Sequence, residues 1–117
     1  IYKAVDEHGI RRLVLDCISG LTLRFSEPST VRQELHRISS LLNELGVTSI
    51  FISEINDPNA HSRVGEEEFV AHGLVLLKLN ETNNELQRRL LIWKMRQRAH
   101  CMKHHRFTIG SKGIIVD

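Results

Sequence analysis

An apolar helix pattern between two short apolar runs constrains the fold of this chain more than any other feature. From position 31 to 45, apolar residues recur mostly three or four apart, with Ser29 or Thr30 near the start and Gly46 at the end, which predicts an amphipathic helix. The flanking runs, 13–16 and 47–52, have the length and composition of buried parallel strands. A strand, helix, strand order requires a right-handed crossover. The sequence therefore predicts an α/β fold.

The remaining segments predict further short elements. The first residues resemble a helix tail that ends at Gly9, and 65–71 predicts a short acidic helix after a polar loop over 56–64. Residues 74–79 predict a third apolar strand, which the polar stretch 80–87 connects to a strand over 88–98. Residues 107–109 and 114–116 predict a closing hairpin around 110–113.

Length and composition limit the class of protein. At 117 residues, with 41% hydrophobic and 26% charged residues, the chain is at most one domain of a globular protein. Its net charge of +2 creates no global field, so an anionic partner would be met locally. No apolar stretch reaches the roughly 20 residues of a membrane span. Cys17 and Cys101 lie far apart with no signal peptide, which indicates a reduced, cytoplasmic setting. The chain opens on Ile1 in what reads as the middle of a helix, so we expect upstream sequence to be missing.

The most distinctive polar feature is the basic segment from Arg88 to Phe107. If it is a strand, the alternation places the cations Arg88, Lys94, Arg96 and Arg98 on one side. The apolar odd positions, Leu91, Trp93 and Met95, would then face a core. Arginine offers a planar fork of donors and lysine a compact charge, so such a row suits a polyphosphate. The alternative is an ordinary solvated strand face.

Two carboxylates end predicted strands. Asp16 closes the first apolar run and Glu54 follows the second. Open α/β sheets bind ligands beyond the carboxyl ends of their strands, which makes both residues candidates for a site. The alternatives are that Asp16 caps a turn and that Glu54 makes loop hydrogen bonds.

Five segments together resemble a known family. Residues 11–16 (RRLVLD) occupy the position of a Walker B strand, 31–35 (VRQEL) are similar to a V-R-R-E-L helix, and 47–50 (VTSI) with Glu54 are similar to the next strand. Residues 63–70 (RVGEEEFV) match R-x-G-x-E-E-F-V, and Lys94, Arg96 and His100 fall on K-x-R-G-x-x-H. The chain resembles, over essentially all 117 residues, the C-terminal half of a KaiC-type ATPase domain in the RecA-like P-loop superfamily.

The resemblance implies a partial RecA-like fold over residues 1–117, lacking the P-loop half, with a mostly parallel sheet flanked by helices and a C-terminal antiparallel hairpin. It implies an ATP-binding subunit of a ring, usually a hexamer, with each nucleotide between two protomers. Asp16 would be the Walker B acid that holds Mg²⁺ through water and orders the nucleophile, and Glu54 a polar sensor near the γ-phosphate. Lys94 and Arg96 would reach the neighbouring protomer's site, and the other implied nucleotide contacts are Arg88, Met95, Arg98 and His100.

The sequence also departs from the family pattern. Gln97 stands where the family has glycine, Arg98 where it has a small hydroxyl residue, and Met102 where it has lysine. The P-loop and the water-activating carboxylates are absent from these residues, so this chain alone should not hydrolyse ATP. The P-loop strand would lie between strands 47–52 and 74–79, so we expect these two either to pair directly or to leave edges that recruit another chain.

Two alternative functions stay open. The first is a non-catalytic RecA-like regulator that binds nucleic acid or protein, with Lys94, Arg96, Arg98, Lys103 and Arg106 on a phosphate backbone. Only Trp93 and Phe107 lie nearby for base stacking. The second is a zinc site, because the segment supplies the ligand types of one in His100, Cys101, His104 and His105.

Overall fold

A computed structural model describes residues 1–57, 59–61, 65 and 67–117. The chain forms two compact units, Ile1–Val70 and Ala71–Asp117. Three residues of the family-like 63–70 segment, Arg63, Val64 and Glu66, lie outside the described residues, as do two positions of the preceding loop.

The first unit is built around a parallel strand pair. Helix α1 (Tyr2–His8) ends at Gly9 in a left-handed conformation, as predicted, and strand β1 (Arg12–Asp16) follows. A short helix α2 (Gly20–Arg24), which the sequence did not predict, leads to α3 (Pro28–Glu44) and strand β2 (Thr48–Ile52). The unit closes with α4 (Glu67–Val70). Strands β1 and β2 run parallel, with Val14 opposite Ile50 and Asp16 opposite Ile52, so the predicted strand, helix, strand unit is confirmed.

Helix α3 covers one face of this pair. Its residue Leu42 packs with Val5 and Val47 towards the amino end of the strands. Two turns earlier in the helix, Leu35 packs with Val31 and Ile18 beside the carboxyl end. These two clusters fix β1 and β2 against α3 and thereby position the polar residues that follow the strands.

The second unit is a four-stranded antiparallel sheet. In the order β3-β4-β5-β6, it contains β3 (Gly73–Thr82), β4 (Glu85–Met95), β5 (His105–Gly110) and β6 (Gly113–Val116). Asn83 and Asn84 connect the first two strands with φ of 53° and 61°, the conformation of a tight two-residue hairpin turn. The α/β class and the closing hairpin are confirmed.

The structure separates the two arrangements predicted for the third strand. Among the described residues, β2 and β3 do not pair, so the direct pairing of 47–52 with 74–79 does not form and both strands keep an open edge. Strand β3 belongs to the antiparallel sheet, and it is not a buried strand of a parallel one. Leu76 is buried, whereas Val75, Leu77 and Leu79 are exposed, because these three residues lie on the opposite face of β3 from Leu76.

No helix in the described part of the chain has both the length and the apolar character needed to cross a membrane.

Candidate functional site

Asp16 lies at the carboxyl end of the parallel pair. Its strand alternates, with Leu13 and Leu15 turned to α3 and Val14 and Asp16 exposed on the other side. The strands stay joined just beyond it, because the Ile18 amide donates to the Ile52 carbonyl oxygen at 2.9 Å. No described residue pairs with the Asp16 carboxylate, which leaves it available to a cation.

A set of hydrogen bonds cross-links the chain just after these strands. The Glu54 amide donates to Oγ of the buried Ser19 at 3.3 Å, and Ser53 Oγ donates to Glu67 Oε1 at 3.1 Å. Glu67 is only 9% exposed. Glu54 thus lies at the same edge as Asp16. It is exposed, as expected for a residue two positions after the exposed Ile52 of β2. The sequence reasoning missed Ser19, Ser53 and Glu67, although polar residues directly after apolar strands were a usable signal.

This edge of the sheet suits a magnesium ion that takes most of its ligands from water and phosphate. Mg²⁺ in nucleotide sites is usually held by one or two carboxylates, several waters and the phosphates. Asp16 supplies one unpaired carboxylate. The described residues contain no group of three or more acidic, histidine or cysteine side chains that could enclose an ion alone, so Asp16 would hold the metal together with water and phosphate.

The basic segment differs from the predicted strand in two ways. Strand β4 ends at Met95, so Arg96 and Arg98 lie in a turn and not on a strand face. The β3–β4 register also shifts, since Leu74 pairs with Lys94 while Val75 pairs with Ile92. This bulge leaves Trp93 as an extra residue and reverses the alternation beyond it.

The reversal changes which side chains lie on the same face of the sheet as the buried Leu76 and Leu91. Lys94, opposite Leu74, lies on the same face as the buried Leu76 and Leu91 and is half-buried. Trp93 and Met95 are 38% and 36% exposed, so the prediction that both face the core is wrong. Arg88 is exposed on the opposite face from Lys94, and the predicted single row of cations does not form.

The cations gather instead at the turn that follows β4. The Arg96 amide donates to the His72 carbonyl oxygen at 2.8 Å, which ties the turn to the residue before β3. Gln97, at the position where the family has glycine, adopts φ of 60°. The left-handed backbone of the turn is therefore kept without the glycine that favours it. We call residues 94–100 the basic turn.

His100 ends the basic turn with an unused hydrogen-bonding atom. Its Nδ1 lies 3.4 Å from the Arg98 carbonyl oxygen. Its Nε2 is buried and has no partner within the described part of the chain. A buried polar atom without a partner costs free energy, and a ligand atom at this position would satisfy it.

The charge around the basic turn is one-sided. Residues 86–116 contain eight lysines and arginines and no aspartate or glutamate, although the whole chain has a net charge of only +2. This local excess attracts anions. The sequence reasoning named individual cations but missed the absence of carboxylates among them.

The predicted zinc ligands do not assemble. Within the described residues, His105 Nε2 lies 3.3 Å from Cys101 Sγ, but no third ligand joins them in a group that could hold a metal.

The KaiC ATPase family model matches residues 1–117. The chain belongs to the KaiC ATPase family. Its α/β fold is that of a KaiC-like, RecA-like domain. This confirms the KaiC-type part of the resemblance that the five sequence segments carried.

Individual relatives support the same assignment. The chain is 37% identical over 121 residues to a UPF0273 protein of Pyrococcus furiosus, which covers 97% of this chain and 45% of that protein. It is 34% identical over 118 residues to the circadian clock oscillator protein KaiC of Prochlorococcus marinus, covering 99% of this chain and 23% of that protein. The crystal structure of a KaiC-like protein from Pyrococcus horikoshii superposes with a TM-score of 0.88 at 42% identity, over 99% of this chain and 53% of that one. The chain thus spans about half the length of the UPF0273 relative.

Proposed function

We propose that this chain is the C-terminal half of a KaiC-like ATPase domain and contributes to an ATP site between two protomers of a ring, in the family's usual form a hexamer. Asp16 acts as the Walker B acid and holds Mg²⁺ with water and phosphate, while Glu54 senses the γ-phosphate. Lys94 and Arg96 neutralise developing phosphate charge in the neighbouring protomer's site. Arg88, Met95, Arg98 and His100 contact the nucleotide, and the protein works in the cytoplasm.

The observation that carries this proposal is the basic turn. It combines a carboxylate-free cationic segment with a main-chain hydrogen bond at Arg96 and a buried His100 Nε2 that has no partner among the described residues. A triphosphate supplies the negative charge that such a turn attracts and the acceptor oxygens for its lysine and arginine donors. Glycine at position 73 leaves room for the Met95 side chain, because a Cβ on Gly73 would lie 3.1 Å from Met95 Sδ.

The uncovered face of the parallel pair supports the assignment to half a domain. Val14 and Ile50 are each 59% exposed on the face opposite α3. Parallel sheets are normally covered on both faces. The P-loop half of the domain, which the family resemblance places upstream, would cover this face.

The proposal is tested in the full-length protein that carries this chain. Asp16→Asn and Arg96→Ala should each lower kcat for ATP hydrolysis about 100-fold, the usual cost of removing one charge-stabilising group. Lys112→Ala is the matched control, since it removes a cation of the same carboxylate-free segment in the β5–β6 loop; it should change kcat less than about twofold. Unchanged hydrolysis in both site variants would contradict the proposal.

A second candidate function uses the same charges. The carboxylate-free cationic segment also suits a nucleic-acid backbone, with Arg98, Lys103 and Arg106 as additional contacts. DNA binding that falls steeply with salt and needs no nucleotide, in a protein without ATPase activity, would favour this regulator over the ATPase.

A further inference from the structure

Cys101 and His105 form a contact that the proposed ATP site does not use. Cys101 is exposed, and its Sγ lies 3.3 Å from His105 Nε2, within hydrogen-bonding distance for sulfur. A thiol beside an imidazole is the arrangement that generates a nucleophilic thiolate, because the ring accepts the thiol proton.

The structure also orients the imidazole for this role. His105 begins β5 and pairs with Leu90 of β4, so its backbone is fixed. Its Nδ1 lies 3.3 Å from the main-chain oxygen of Asp117, and the Asp117 amide is itself held by the Arg106 carbonyl oxygen at 2.9 Å. A main-chain oxygen only accepts, so this hydrogen bond assigns the ring proton to Nδ1 and leaves Nε2 as the acceptor for the thiol.

The surroundings of Cys101 favour an anionic reagent. Arg98, Lys103 and Arg106 lie within five residues of Cys101 in the sequence, and all three are exposed. No ion pair occupies any of the three within the described part of the chain. Positive charge of this kind stabilises a thiolate and attracts an anionic reaction partner.

We propose that Cys101 is a reactive thiol that forms a mixed disulfide with an anionic low-molecular-weight disulfide, with His105 as its general base and the main-chain oxygen of Asp117 as the group that positions the ring. The thiol proton moves to His105 Nε2, and the thiolate attacks one sulfur of the disulfide. The disulfide bond breaks as the bond to Cys101 Sγ forms. The leaving thiolate takes the proton from the imidazolium, so Cys101 is oxidised and half of the reagent is reduced to a thiol.

Cys17 is an internal comparison in the same molecule. It is a half-buried free cysteine, and the described residues supply no hydrogen-bonding partner for its Sγ. The proposal therefore predicts selective modification at Cys101. Since burial alone also slows Cys17, the decisive comparison is between histidine variants.

The test measures the rate of modification of each cysteine in the 117-residue chain by mass spectrometry, with glutathione disulfide as the probe at neutral pH. An ordinary thiol is only a few per cent ionised at pH 7, so a base that deprotonates it fully raises its reaction rate by at most about 30-fold. We expect His105→Gln to slow Cys101 about tenfold. His104→Gln removes the neighbouring histidine, which has no contact with Cys101 among the described hydrogen bonds, and should change the rate less than about twofold.

Two further measurements complete the test. The cationic disulfide cystamine should react more slowly with Cys101 than glutathione disulfide does, and equal or faster reaction would overturn the assignment to an anionic reagent. Wild-type Cys101 should also react faster in the folded chain than in urea, a comparison that does not depend on the folding of any variant. A rate in His105→Gln within about twofold of wild type, or a faster reaction in urea, would overturn the proposal.

Discussion

Gln97 offers the sharpest test of the backbone of the basic turn. Its φ of 60° is in the left-handed region, which costs an L-residue about 1–2 kcal/mol. Glycine avoids this cost but loses about 0.5–1 kcal/mol of backbone entropy on folding. Gln97→Gly should therefore raise the free energy of unfolding by about 0.5 kcal/mol. Gln97→Val should lower it by about 1 kcal/mol or more, because a β-branched side chain tolerates this region least.

Gln87 provides the matched control within the same segment. It lies in strand β4, where its Oε1 accepts a hydrogen bond from Arg89 Nη2 at 3.0 Å. Extended backbone favours β-branched residues over glycine, so the order of stability should reverse, with Gln87→Val above Gln87→Gly. Both variants lose the same hydrogen bond, and the comparison between them is unaffected by it.

The assay is urea denaturation followed by the fluorescence of Trp93, the only tryptophan of the chain, which lies in the same unit as both glutamines. The midpoint should shift without a change in slope, as expected when stability alone changes. If Gln97→Gly is less stable than Gln97→Val, the turn does not have the left-handed backbone described above.

Three further predictions concern the first unit. Leu35→Ala removes a side chain that is 2% exposed and should lower the free energy of unfolding by about 2–5 kcal/mol; a loss in urea denaturation below about 1 kcal/mol would contradict the packing beside the site. Ser53→Ala leaves the buried Glu67 without one donor and should cost about 1 kcal/mol, whereas no loss would show that the 3.1 Å hydrogen bond does not stabilise this edge. The hydrogen bond from Arg37 lowers the pKa of Glu34, so its stabilisation is present above the ordinary pKa of glutamate and is lost as pH falls through the lowered value. Thermal melts should show a small deficit of Glu34→Gln at neutral pH that disappears in acid, and a deficit that grows in acid would contradict this sign.

The sequence predicted those parts of the fold that depend on local pattern. The helix over 28–44 and strands β1 and β2 follow from apolar spacing, and Gly9 and Gly46 mark turns through their positive φ. The position of Asp16 at a strand end follows from the same pattern. These features need no knowledge of which segments meet in space.

The errors arise where pairing between strands decides the outcome. A single extra residue at Trp93 reverses the alternation, and a period-2 pattern cannot reveal it because each half of the strand still alternates. The end of β4 at Met95 was missed for a similar reason, since Arg96 and Arg98 continue the alternation into a turn. The Glu54–Ser19 and His105–Asp117 contacts join residues far apart in sequence, so spacing did not indicate them.

The most direct test of the account is a subunit-mixing measurement of ATP hydrolysis with the full-length protein. Subunits that carry Arg96→Ala are mixed with subunits whose P-loop is defective, and ATP binding by each variant is measured separately. If Arg96 acts on the neighbouring protomer's nucleotide, the Arg96→Ala subunits still bind ATP. In mixed rings, the intact P-loop of an Arg96→Ala subunit can lie beside the intact Arg96 of a P-loop-defective subunit. Hydrolysis at that site is then restored. If mixing restores no activity although mixed rings form, or if Arg96→Ala alone retains wild-type hydrolysis, the basic turn does not complete a site between protomers.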